Sequence, residues 1–223
     1  MNIGIIGAGW LGGTVGRCWV RAGHDVLFSS RDPAKHAALA RRLGLHAKAG
    51  SFRDAAVFGE VVLIAIPYAA LPAIAEELAE LLAGKVVLDA CNPYQPDPAP
   101  FRQAIEQEGV ALATARLLPG ARVVRAFSAV DATSVEASAA GSGTRLGVPI
   151  AADDTEACAV VAQLVRDAGC DPVVVGGLAD ARSFQRGGAG FRANTDATDL
   201  RRRLGLPHAS VGTAEPNTER KAS

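Results

Sequence analysis

The sequence predicts an α/β fold, a doubly wound parallel sheet with helices on both faces and a small C-terminal extension. Three observations carry this. Apolar runs rich in Val and Ile alternate with helix-periodic stretches along most of the 223 residues, the order that buries parallel strands between helices. The first apolar run enters a glycine-rich turn, Gly7-Ala8-Gly9-Trp10-Leu11-Gly12, that opens a helix. Glycine, proline and cap residues fall where the alternation needs stops and starts.

The elements follow in order. The first strand covers 2–6 and feeds a helix over 10–22, which Gly23 stops. A second strand takes 25–29. Asp32-Pro33 then supplies a cap residue and a first-turn proline for a helix over 33–43, closed by Gly44. A strand over 45–48 and a short helix over 51–56 lead to the strand 61–66, which Pro67 ends. A helix over 68–83 and a strand over 85–90 precede a stiff loop, 92–100, that holds four prolines. Helices over 101–108 and 111–118 and a strand over 122–127 complete the first part. A small-residue helix (131–138) and a strand (146–151) follow. Asp153-Asp154-Thr155 caps a helix over 154–168 whose apolar face is Val160, Val161, Leu164 and Val165. The last strand covers 172–175. From Pro207 the chain is polar and aperiodic and reads as a loose tail. The division is 1–127 as a nucleotide-binding domain, 128–206 as a C-terminal α/β extension and 207–223 as tail.

Composition narrows the function classes. Lys plus Arg (23) equals Asp plus Glu (23), and no basic patch marks a nucleic-acid partner. The apolar uncharged run 61–75 is broken by Pro67 and Pro72 and is too short to span a bilayer. No secretory leader pattern precedes the first strand. A cytoplasmic protein with no membrane partner is expected. Cys18, Cys91, Cys158 and Cys170 are widely spaced, with no Cys-x-x-Cys and no Cys/His cluster at metal spacing. They are expected to be free thiols, and no metal site is expected.

Gly-x-Gly-x-x-Gly between a strand and a helix is the pattern of a dinucleotide site. Gly7 permits the tight turn, Gly9 lets backbone approach a pyrophosphate, and Gly12 lets the helix pack on the strand. The helix N-terminus, with Trp10 and Leu11, presents free N–H groups to the phosphates. An NAD site places a carboxylate about 20 residues on, at the ribose 2′-hydroxyl. Here that place holds Ser29-Ser30-Arg31, with Lys35 a turn later. Two hydroxyls and two cations suit a 2′-phosphate, so the expected cofactor is NADP(H).

Other candidates lie beyond the carboxyl ends of later strands, where ligands bind in such sheets. Pro67 and Tyr68 follow one strand, as a loop over the cofactor and a cover for it. Asn92 follows the next and suits the nicotinamide ribose or carboxamide. Ser128 follows a third and faces the second substrate. Of the histidines, His24, His36, His46 and His208, none stands in a pattern that marks a general base, and there is no Tyr-x-x-x-Lys pair. Hydride transfer to a conjugated ring needs geometry more than a proton relay, whereas simple ketone reduction needs a proton donor. The leading expectation is therefore an NADPH-dependent oxidoreductase acting on a conjugated small-molecule acceptor. The alternatives are a non-catalytic NADP(H)-binding sensor or partner module, and a reductase of imines or ketones. Arg186-Gly187-Gly188-Ala189-Gly190 reads as a flexible loop or as a lid placing Arg186 over an anion. Phe184 and Phe191 flank it as exposed-looking aromatics, so a homodimer contact through 178–206 is expected.

Several of these segments together resemble one family. They are the N-terminal fingerprint, Ser30-Arg31-Asp32 with Lys35, Val62-Leu63-Ile64-Ala65-Ile66-Pro67-Tyr68, Asp89-Ala90-x-Asn92-Pro93, the stretch from Leu117 to Phe127, and Ala151-Ala152-Asp153-Asp154. They resemble the NADP oxidoreductase, coenzyme F-420-dependent family over about residues 2–206, and also the cytosolic domain of transmembrane ferric reductases. The resemblance implies a Rossmann fold and hydride transfer between NADP(H) and the deazaflavin ring of F-420. It implies Gly9, Trp10 and Leu11 at the pyrophosphate, Ser30, Arg31 and Lys35 at the 2′-phosphate, and Pro67 and Asn92 flanking the nicotinamide. Two departures stand out. The F-420 enzymes are expected to carry a His where this chain has Ser128, and 183–192 looks like the wider bacterial group. A flavin or similar acceptor therefore stays beside F-420.

Overall fold

The computed structural model describes residues 1–94 and 99–207, the side chains of 33–35 and 99–101 excepted. Its strands are β1 (Asn2–Ile6), β2 (Asp25–Ser29), β3 (Ala47–Gly50), β4 (Val61–Ile64), β5 (Val86–Asp89), β6 (Arg122–Arg125), β7 (Gly147–Ala152) and β8 (Asp171–Gly176). The helices are α1 (Trp10–Arg21), α2 (Pro33–Leu43), α3 (Phe52–Phe58), α4 (Leu71–Leu82), α5 (Ala99–Glu108), α6 (Val110–Leu117), α7 (Ala132–Ala139), α8 (Thr155–Asp167) and α9 (Ala197–Arg203). Short 3₁₀ turns cover Tyr68–Ala70 and Leu178–Phe184.

All eight strands join one sheet in the order β3-β2-β1-β4-β5-β6-β7-β8. The chain winds outward from β1 to β3, then crosses back to lay β4 on the other side of β1. That reversal opens a crevice at the carboxyl ends of β1 and β4, the place where doubly wound sheets bind nucleotides. Strand side chains alternate between two cores, as the two-residue period requires. Ile3, Ile5, Val26, Phe28, Leu63, Leu88 and Val124 share one core with Trp19 of α1 and Leu164 of α8. Ile6, Leu27, Val62, Ile64, Val87 and Val123 share the other with Leu71 and Leu78 of α4 and with Phe184. The Trp19 indole N–H donates to the Leu164 carbonyl at 2.8 Å, tying α1 to α8 across the first core.

One strand departs from the parallel order. β7 runs antiparallel to β6, pairing Val124 with Ala152 and Arg125 with Ala151. The connection after β6 starts β7 at the same end of the sheet that β6 leaves, and α7 packs on α1. β8 then follows β7 in parallel through α8, so the C-terminal part extends the same sheet. α8 is capped by Asp154, which accepts from the Ala157 N–H at 2.9 Å. The Asp154 carboxylate also receives Arg122 of β6 at 2.6 Å, and that bond holds it well below the usual carboxylate range.

The expected elements all occur, with shifted ends, and the structure adds the 3₁₀ turn Leu178–Phe184 and the helix α9. It corrects the surface reading of the two phenylalanines. Phe184 is fully buried and Phe191 packs, partly buried, on the same core. The rings close their own sheet, which removes the reason for placing a dimer contact there. The expected tail beyond Pro207, and 95–98 of the proline-rich loop, lie outside the described residues. Among the described residues no helix is long and apolar enough to cross a membrane.

Packing of α3 on β1 is unusually close. A Cβ on Gly4 would sit 2.0 Å from the Ala55 carbonyl oxygen and 2.7 Å from its carbon. These are backbone atoms, so Gly4→Ala must push the whole of α3 off the sheet. The expected result is a loss of about 1–3 kcal/mol, read by denaturant unfolding.

Candidate functional site

The crevice is built by the turn after β1. Gly7 has φ +97°, and its N–H and that of Ala8 donate to the Ser29 carbonyl at 3.1 and 2.9 Å. This lashes the turn to the end of β2. A Cβ on Gly7 would meet the Ala65 carbonyl at 2.5 Å, and one on Gly12 would meet the Gly7 carbonyl at 2.4 Å. Both glycines are therefore demanded by the protein's own packing. Gly9 is different: a Cβ there would find nothing within 4 Å. It is the N-cap of α1, and no side chain caps that helix. The first N–H groups of α1 have no carbonyl within their own helix and face the crevice, a ready anion site.

Two cavities flank this point. The first, about 930 Å³, is lined by Ser30, Arg31, Ser51, Phe52, Arg53, Pro67, Ile74 and Glu77 among others. The second, about 630 Å³, is lined by Trp10, Leu11, Pro67, Tyr68, Tyr94, Asn92, Ser128, Asp131 and Arg192 among others. Ile66, Pro67 and Ala69 belong to both, so the cavities meet along the segment that leaves β4. A helix N-terminus with a chamber carrying Arg31 and Arg53 on one side and one carrying Asn92 and Ser128 on the other has the layout of a dinucleotide site.

The predicted residues divide. Trp10, Leu11, Ser30, Arg31, Pro67, Asn92 and Ser128 come together around the two cavities, Trp10 70% exposed at the rim, and Gly9 caps the helix that starts beside them. Gly7 and Gly12 shape the turn. Ser29 is a correction: it is fully buried, its hydroxyl donates to the Ile5 carbonyl at 2.6 Å, and it holds the turn instead of facing a ligand. Tyr68 is a second correction. It is only 2% exposed and walls the cavity from below instead of covering it; Thr114 donates to its hydroxyl at 3.5 Å, and burial pushes the phenol up to about 12. The side chain of Lys35 lies outside the described residues. Arg186 sits over the Tyr94 ring, 5.8 Å from its centroid. His24 and His46 bind Asp167 and Asp25 at 2.9 and 3.0 Å at the opposite, amino end of the sheet.

What orders the second cavity around Asn92 escaped the sequence reading. Asp89 of β5 and Arg125 of β6 share one register position and are both fully buried. Arg125 Nη1 donates to Asp89 Oδ2 at 2.5 Å, and Nη2 donates to the Cys91 carbonyl and to Asn92 Oδ1 at 3.0 and 2.9 Å. Asn92 in turn donates to the Ser128 carbonyl at 2.6 Å. The Ser128 hydroxyl lines the cavity, is buried and has no hydrogen-bond partner. Phe127, just before it, takes φ +57°, a left-handed conformation uncommon for so large a residue; its ring is wedged edge-on against Trp19. At the rim, Arg192 and Asn194 both hold Asp131, at 2.8 and 2.6 Å. Acid and base at the same last register of β5 and β6 is the signal that could have revealed the Asp89–Arg125 pair. Arg53 was also missed; it emerges from the strand next to β2.

The chain is similar to known NADP-dependent reductases. Residues 2–93 match the model of the family described as NADP oxidoreductase coenzyme F420-dependent. The metalloreductase STEAP3 of Rattus norvegicus is 29% identical over 188 residues, which is 82% of this chain and 36% of that protein. The chain thus spans little more than a third of the length of this relative. A protein of Sinorhizobium meliloti of known structure is 28% identical, with a TM-score of 0.70 over 83% of this chain and 89% of that one. A protein of Arthrobacter sp. FB24, described as an F420-dependent NADP-reductase, is 28% identical, with a TM-score of 0.66 over 82% and 87% of the two chains. Residues 2–93 supply the glycine turn, the wall common to both cavities and Asn92, and it is this segment that resembles the coenzyme F420-dependent family of NADP-dependent oxidoreductases.

Proposed function

We propose that the protein moves a hydride between NADP(H) and a planar conjugated acceptor, a deazaflavin such as F-420 or a flavin. The observation that carries this reading is the pair of cavities meeting across Pro67, with the bare N-terminus of α1 between them. NADPH, when bound, supplies the hydride from its nicotinamide ring. The chain holds and orients it. The open face of Gly9 admits the pyrophosphate, Ser30 and Arg31 receive the 2′-phosphate, and the Asn92 amide, fixed by Arg125 and the Ser128 carbonyl, keeps one N–H for the nicotinamide carboxamide. Leu11, Ile66, Ala90 and Val130 line an apolar slot beside it, and the Ser128 hydroxyl is available to a polar atom of the acceptor.

The slot also supports the choice among readings. A sensor needs no second chamber at the nicotinamide, whereas this cavity stays open past Asn92 toward Trp10 and Tyr94. A reductase of simple ketones needs a proton donor. Of the carboxylates and phenols described in this cavity, Asp131 is held by Arg192 and Asn194, Tyr68 is buried with a raised pKa, and Tyr94 stands exposed at the mouth beneath Arg186.

Two measurements test the cofactor reading. Gly9→Ala should leave unfolding stability unchanged, because its methyl meets no protein atom, yet weaken NADPH at least about tenfold by blocking the close approach of the pyrophosphate. Wild type should prefer NADPH to NADH, and Arg31→Ala should lose about 10- to 100-fold in NADPH affinity through one charge-assisted contact. Fluorescence titration reads both, and equal affinity of the wild type for the two cofactors would sink the NADP(H) assignment. The acceptor is tested by following NADPH oxidation with F-420, FMN, FAD and riboflavin. Turnover with at least one is expected; none with any would favour the sensor.

A further inference from the structure

We infer that Arg53, reached from the neighbouring strand, is a specificity-determining residue that works with Arg31 to select the 2′-phosphate of the cofactor. This rests on the NADP(H) reading above. β2 and β3 are parallel, with Ser29 opposite Gly50, so the residues just beyond them leave the sheet side by side. Ser30 and Arg31 follow one strand; Ser51, Phe52 and Arg53 follow the other. All five line the same cavity. Neighbouring strands stand about 4.8 Å apart, well within the reach of two arginine side chains converging on one phosphate.

The local chemistry leaves Arg53 uncompensated. The carboxylate next to it, Asp54, turns away and closes a capping box. It accepts from the Ser51 N–H at 2.8 Å and from the Ser51 hydroxyl at 2.7 Å. Among the described residues neither Arg53 nor Arg31 forms an ion pair or a side-chain hydrogen bond, and Glu77 across the cavity pairs with no cation. Two unpaired guanidinium groups beside one chamber repel each other until an anion enters. A phosphate monoester suits them, because a guanidinium meets phosphate oxygens in a bidentate fork.

Arg53 is also carried on a well-fixed support. The capping box sets the first turn of α3, and the contact of Gly4 with the Ala55 carbonyl seats that helix on β1. A cation held on a rigid element loses less freedom on binding than one on a loop. Glu77, on the far wall among Ala70, Ala73 and Ile74, leaves the cavity negative on the side away from the arginines. A phosphate is thereby directed to the β2–β3 side.

The experiment titrates NADPH, NADH, 2′,5′-ADP and 5′-AMP against wild type, Arg53→Ala, Arg53→Lys and Arg31→Ala in the full chain, with thermal unfolding as the control for folding. Arg53→Ala should weaken NADPH and 2′,5′-ADP about tenfold while NADH and 5′-AMP change less than about twofold. Arg53→Lys should fall between, since lysine keeps the charge and loses the fork. NADPH affinity unchanged in Arg53→Ala but reduced in Arg31→Ala would overturn the inference and leave the NADP(H) reading standing. An equal loss for NADPH and NADH would also overturn it, placing Arg53 on the adenine. A wild type that does not distinguish the two cofactors would overturn the inference together with that reading.

Discussion

The carboxyl edge of the sheet is organised around one buried ion pair, Asp89 with Arg125. Both side chains are fully shielded from water, and removing two charges from water costs several kcal/mol each even after relaxation. The pair is tolerable because its remaining valences are used. Asp89 Oδ1 accepts from the Cys91 N–H at 2.8 Å, and Arg125 reaches both the Cys91 carbonyl and Asn92. Only Nε of the guanidinium has no partner. Such a pair adds little net stability over a good apolar packing, but it admits few alternatives. It fixes the register of β5 against β6 and locks the chain that leaves β5, so Asn92 has one orientation. Ser128 follows, because its carbonyl is the other anchor of Asn92. Breaking one partner would leave a buried charge, so these residues hold their places together or not at all.

The opposite half of the crevice is set by closeness of backbone. Gly7 and Gly12 allow α1 to sit on β1 and on the segment leaving β4, and Gly4 does the same for α3. The result is two helices seated tightly on the first strand from opposite faces. Their first turns lie at the same edge of the sheet, α1 beside the second cavity and α3 beside the first. The cavity walls are therefore extensions of the most tightly packed part of the molecule. Preorganisation of this kind limits the ordering needed when a ligand binds.

Much of this was legible in the sequence because it is local. Apolar runs bounded by Gly and Pro marked eight strands, and the glycine turn with Ser30 and Arg31 pointed to residues that the fold brings to the crevice. What escaped depends on contacts distant in sequence. The direction of β7 is decided by where the connection after β6 ends, not by the composition of β7. Phe184 and Phe191 looked exposed beside a glycine-rich loop, yet the C-terminal segment folds back over the second core. Ser29 looked like a ligand residue by position, but it is the last residue of β2 and its hydroxyl points at β1. Arg53 and the Asp89–Arg125 pair become visible only once strand neighbours are known, since each works with a residue more than 20 positions away. Helix α9 carries three consecutive arginines, Arg201, Arg202 and Arg203. Its apolar periodicity was too short to read, and the Asp196 cap and Leu200, buried against β7 and β8, hold it.

The chemistry of the second cavity follows from what its polar groups are already doing. Tyr68 is buried with its phenol pushed up to about 12, so near neutral pH it is a neutral wall. Asp131 has one carboxylate oxygen on Arg192 and the other on Asn194, and a doubly held carboxylate is poorly placed to deliver a proton. Arg192 and Asn194 take left-handed backbone, φ +54° and +44°. Such conformations persist only where the surroundings enforce them, which marks this rim as held in place. The Ser128 hydroxyl remains as a donor inside the cavity, and the Tyr94 phenol stands at its mouth beneath Arg186. On the proposed function this is enough for an acceptor whose own ring delocalises the charge that arrives with the hydride. It would be too little for an isolated carbonyl, where the new alkoxide must be protonated as it forms.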